Sequence, residues 1–192
     1  MKKILIGGIA GGVVLFIWSF LTWVILPLHE PSLHKIPNED AAISALQSNL
    51  DEHAVYIFPK GPGPSADQAS EDAWMKKMKR GPTGMIIYDP RGTDPMMPHQ
   101  MVIGLILDIL SAMIVVWFLS RSTALGSQFI GRVAFCSMFG IFVSIFDHLM
   151  TWNWMGFPGD FVHAMMIDAV LGWILAGVAI AALVRMPRPA VS

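Results

Sequence analysis

Four long apolar runs constrain this chain more than any other feature. A helix needs about 20 predominantly apolar residues to cross a bilayer. Runs of that length occupy Ile4 to Leu28, Gln100 to Leu119, Phe129 to Met150 and Phe161 to Val184. The sequence therefore predicts transmembrane helices over 4–28, 100–119, 129–150 and 161–184, with a small α+β domain over 29–98 inserted between spans one and two. Hydrophobic residues make up 54% of the chain and charged residues 14%, well under the quarter or so of a soluble domain. Net charge is −1, which gives a nucleic-acid partner no electrostatic footing.

Span one follows Lys2 and Lys3 and ends in Leu26-Pro27-Leu28-His29 without a small-x-small cleavage site, so it reads as an uncleaved anchor. Lys2, Lys3, Arg121, Arg132, Arg185 and Arg188 gather at one set of span ends, and the loop between spans three and four has no Lys or Arg. The positive-inside rule then expects both termini in the cytoplasm, residues 29–98 outside, and a bacterial inner membrane as the setting. Trp23, Trp152 and Trp154 fall where an outer aromatic belt is expected, and Trp117 near the inner one.

Residues 29–98 carry seven basic and ten acidic side chains. Asn38 is placed to cap a helix over about 39–50, and Ala54-Val55-Tyr56-Ile57-Phe58 forms a β-rich run over 54–58. Ser70 is the expected cap of a helix over about 70–80, and Met85 to Tyr88 gives a second strand over 85–88. Two strands make a marginal sheet. This domain is therefore expected to need the membrane surface, a second copy or another membrane protein.

Ionisable groups inside a span are expensive and mark function by default. Asp108 and Asp168 lie deep in spans two and four. Asp147, His148, Asp160 and His163 lie toward the outer ends of spans three and four, and His29 and His99 end spans one and two. In span three, Ser137, Gly140, Ser144, Asp147 and His148 step by three or four and predict one polar stripe. Gly7, Gly8, Gly11 and Gly12 form two overlapping G-x-x-x-G patterns that let a neighbouring helix come close.

Three readings follow. The first is a non-enzymatic accessory, assembly or scaffold subunit, its Asp–His and Asp–Ser contacts pinning the bundle. The second is a metal-binding or haem-binding protein, with His29, His99, His148, His163, Met97 and Met101 as ligands and copper or haem as the bound group. The third is a component of a proton or cation path that uses Asp108 and Asp168. Paired aspartates also suit an intramembrane hydrolase, but neither Leu107-Asp108-Ile109 nor Ile167-Asp168-Ala169 carries a glycine-containing catalytic signature. Cys136, alone in an apolar run, reads as a packing residue.

Overall fold

A computed structural model describes residues 1–122 and 128–185, so Arg188 lies outside the described residues. In chain order the elements are α1 (Lys2–Phe20), α2 (Glu39–Asn49), β1 (Ala54–Phe58), α3 (Gln68–Arg80), β2 (Gly84–Tyr88), α4 (Pro98–Arg121), α5 (Phe129–Val143), α6 (Met150–Met155) and α7 (Gly159–Leu183). A π-helical turn, Leu21–Ile25, prolongs α1, and a second, Ser144–Leu149, joins α5 to α6. The chain divides into two compact units, one of Met1–His34 with Met96–Ser192 and one of Lys35–Pro95.

The first unit holds four helices long and apolar enough to cross a membrane: Lys2–Ile25, Pro98–Arg121, Phe129–Met155 and Gly159–Leu183. Their bounds differ from the apolar runs for local reasons. Leu26, the residue before Pro27, is extended and stops the first helix. Pro98 opens α4, where its missing N–H costs nothing. The π turn carries the third helix on to Met155, and Gly156, at φ 71°, ends it.

Helix α1 packs along both α4 and α7, and α7 packs along α5. Small residues make these approaches close. Gly7, Gly8, Gly11 and Gly12 are buried, and a Cβ on Gly12 would strike the Ile109 backbone of α4. At the α5–α7 seam, a Cβ on Gly140 would lie 2.7 Å from the Ala169 carbonyl oxygen. The buried apolar core of the unit comprises Val115, Val116, Leu119, Cys136, Ile180 and Val184. Beside Val184, Lys3 Nζ donates to the Arg185 carbonyl at 2.8 Å, and the buried Arg132 donates from Nη2 to the Ala181 carbonyl at 3.0 Å. Arg132 therefore satisfies a helix C-terminus, where carbonyls lack intrahelical donors.

In the second unit β1 and β2 pair antiparallel, Ala54 opposite Tyr88 and Phe58 opposite Gly84. Tyr56 meets Tyr88 edge-on at 6.4 Å, and Trp74 Nε1 donates to the Pro59 carbonyl at 3.2 Å. Helix α3 starts earlier than expected because Asp67, not Ser70, is its cap: Asp67 Oδ1 accepts the Ser70 N–H at 2.9 Å. Those hydrogen bonds from Ser70 hold the Asp67 carboxyl below its ordinary range. Arg91 reaches Asp89 Oδ1 at 2.9 Å, and these hydrogen bonds hold the Asp89 carboxyl well below the usual carboxylate range. No residue of 35–95 is fully buried.

Candidate functional site

The helical unit contains a cavity of about 250 Å³ between its four long helices. Helix α1 supplies Trp18 and Ser19, α4 supplies Asp108 and Ser111, the π turn after α5 supplies His148, and α7 supplies Asp168 and Trp173. Asp108 lies ten residues into α4 and Asp168 nine into α7. At the helical rise these depths are about 14–15 Å. Asp108 and Asp168 thus reach one cavity from different helices.

Asp168 is the better held of the two. Thr22 Oγ1 donates to its Oδ1 at 3.0 Å, and His29 Nε2 approaches its Oδ2 at 3.3 Å. The Trp18 indole N–H anchors the same turn by donating to the Asp168 backbone carbonyl at 3.0 Å. His29 is only 2% exposed, stacks on Trp23 with ring centroids 3.9 Å apart, and has its carbonyl tied down by Ser32 Oγ at 2.8 Å. Its Nδ1 is buried without a hydrogen-bond partner among the described residues. His29 also lines a second cavity of about 350 Å³, together with Trp23, Pro27, Glu30 and Leu33. The imidazole therefore stands between two cavities, facing one through Asp168.

Asp108 differs. It is half-buried and makes no hydrogen bond or ion pair among the described residues. A carboxyl acceptor without a donor in an apolar helix is costly. Ser111 and His148 share its cavity but neither reaches it.

Other residues expected at the site stand apart. Asp147 pairs with His148 Nδ1 at 3.1 Å but has a side chain 67% exposed, while Ser144 is buried. The predicted stripe on span three is therefore broken. The π turn begins at Ser144 and adds a residue to the repeat, which rotates Asp147 off the face that Gly140 and Ser144 share. Asp160 accepts the Phe161 N–H at 2.8 Å at the start of α7. His99, His163, Met97 and Met101 are exposed. Among the described residues no three His, Cys, Asp or Glu side chains gather in one place.

Sequence reasoning overlooked Thr22 and the π turns. A threonine in an apolar helix carries no signal of its own, and a π turn has no sequence code. One π turn supplies His148 to the cavity wall; the other carries Thr22, which reaches Asp168, and Trp23, which lines the second cavity. Such single-turn insertions are frequent at functional sites. No family model matches the chain, and no curated protein or solved structure is similar enough to match it.

Proposed function

We propose that this chain is an integral membrane protein that takes up and releases a proton at Asp168, as a non-enzymatic subunit of a larger membrane assembly. The observation that supports this most is the setting of the Asp168 carboxylate, on a cavity wall and held by Thr22 and His29. A carboxyl in an apolar span is expensive and marks function by default, and this one has two fixed hydrogen-bonding neighbours on a cavity wall. His29 is suited to relay. An imidazole can receive a proton on one nitrogen and release one from the other, and here Nε2 faces Asp168 while Nδ1 has no partner among the described residues. A buried apolar core of Val115, Val116, Leu119, Cys136, Ile180 and Val184 packs toward the end that bears Arg185. In this reading the proton site is entered from one side only, as befits a subunit that couples to a partner rather than a complete channel.

By the positive-inside rule, the half bearing Lys3, Arg132 and Arg185 faces the cytoplasm and Lys35–Pro95 lies outside. Infrared difference spectroscopy on the purified protein in lipid tests the proton site. A protonated-carboxyl band that responds to pH is expected in the wild type, absent in Asp168→Asn and displaced in Thr22→Val. A band unchanged in Asp168→Asn overturns the assignment.

A second reading concerns Lys35–Pro95 and is favoured by its open sheet. Val55, Ile57 and Ile87 sit on one face of the two strands and are each more than half exposed. That face suits a partner protein. Ile57→Asp is expected to abolish co-purification of the partner while leaving the chain in the membrane; unchanged co-purification would remove this reading.

A further inference from the structure

We infer that the cavity holds the ring of a long-chain hydroquinone, with its tail lying in an aromatic groove between α4 and α5. The inference rests on the proposal that Asp168 stands on the wall of a functional cavity, and it names the molecule that cavity receives.

The argument begins with Asp108. It is a carboxyl in an apolar helix with no donor among the described residues, and it faces the cavity beside Ser111. The natural occupant brings a hydrogen-bond donor. The lining also limits charge. It contains Asp108, Asp168, Ser19, Ser111 and His148 but neither Lys nor Arg. A phosphate-bearing head would be stripped of water against two carboxylates with no compensating cation, so an ordinary phospholipid is a poor fit. A hydroxylated ring donates without carrying negative charge. The cavity's 250 Å³ suits a single substituted ring, and the Trp18 and Trp173 indoles offer it flat apolar surfaces.

A place for a tail lies across the Phe139–Trp173 ring pair from the cavity. Phe118 of α4 and Phe135, Met138, Phe139 and Phe142 of α5 line a groove of about 330 Å³ that is almost wholly apolar. On α4, Ser111 and Phe118 lie seven residues apart, hence two turns apart on one face. On α5, Phe142 precedes Val143 of the cavity wall, and the Phe139 ring lies 5.9 Å from that of Trp173. From Phe142 to Phe135 the groove follows about 10 Å of helix. Helices α4 and α5 share few contacts, although Phe118 reaches Phe139 at 6.4 Å, so the groove opens sideways. A polar pocket with an apolar trough beside it matches a polar ring on a hydrocarbon chain. Ring hydroxyls would donate to Asp108 and the chain would follow the phenylalanines. Binding alone is inferred, with no electron transfer.

The test uses the full chain in nanodiscs, titrated with a decyl-tailed benzoquinol kept reduced and followed by tryptophan fluorescence. Saturable quenching is expected, weakened about tenfold or more by Asp108→Asn, by the double substitution Met138→Ala/Phe142→Ala, or by removal of the decyl tail from the probe. Met138 and Phe142 are 61% exposed, so their truncation leaves the fold intact, and circular dichroism verifies this for every variant. No saturable quenching by the benzoquinol, equal quenching by dodecyl phosphate, or unchanged affinity in Asp108→Asn overturns the inference. So does efficient disulfide cross-linking of Met138→Cys between two copies, which would show the groove closed by a second chain. The Asp168 infrared band separates the two proposals. If it persists while quinol binding is absent, only this inference falls; if quinol binds and the band is missing, only the proton-site reading falls.

Discussion

The two units of this chain solve opposite packing problems. The helical unit buries Ala112, Val116, Leu119, Cys136, Ala176 and Ile180 completely, and its glycines bring backbones into contact. The Lys35–Pro95 unit buries no residue fully and is held by local devices: a helix cap, one indole hydrogen bond, a two-strand ladder and an ion pair. A small segment cannot enclose much apolar volume, so surface contacts do the work. A long helix between two neighbours can give up whole faces. The contrast teaches that substitutions in the first unit act through space and substitutions in the second through single bonds.

The largest effect that could break this contrast is expected at Gly12. In Gly12→Leu the new side chain starts against the Ile109 backbone, which cannot turn aside as a side chain would. A loss of about 3 kcal/mol or more in detergent unfolding is expected. A variant as stable as the wild type would show that α1 and α4 are not closely packed. Ile180→Ala comes next. It empties part of a fully buried site against Val116, Leu119 and Val184 and should cost about 2 kcal/mol in the same measurement. Ile87→Thr is the counterpart in the second unit. Ile87 is 74% exposed, so the change should stay within about 0.5 kcal/mol. A larger loss in the chain alone would mean that the sheet face is covered within one molecule.

The smallest expected effect concerns Arg91. Hydrogen bonds from Arg91 hold the Asp89 carboxyl low, so Arg91→Gln should move its titration up toward the ordinary carboxylate range, read by carbon-13 NMR. The sign for stability follows. The Asp89 pKa is depressed in the fold, so the pair's contribution is present above the unfolded carboxyl pKa and is lost as pH falls through the depressed one. With both groups exposed, that contribution is slight.

The four apolar helices were readable because length and hydropathy alone dictate them. Helix α2 and both strands were readable from a cap, a β-branched run and a proline. The cap of α3 was misread because Asp67 and Ser70 are both competent, and only backbone geometry chooses Asp67. Intramembrane cost pointed to Asp108, Asp147, His148, Asp160, His163 and Asp168 as one polar cluster; that Asp108, His148 and Asp168 line a common cavity could not be read, since it depends on which helices adjoin. Proximity of His29 to Asp168 was equally hidden, because it turns on the π turn at Leu21–Ile25 and the 3₁₀ turn at Glu30–Ser32.

The position of α1 between α4 and α7 also has a consequence for biosynthesis. The hub is made before either of its partners: α4 follows only after the whole polar unit, and α7 later still. Until then the Gly7–Gly12 seam faces lipid or the insertion machinery with nothing seated in it. By contrast, α5 and α7 are near neighbours in the chain and can pair as soon as both are inserted. Assembly in the membrane is therefore expected to wait on α1 being found by later helices, so a chain cut short before α7 should leave that seam open to whatever quality-control machinery reads unpaired helices.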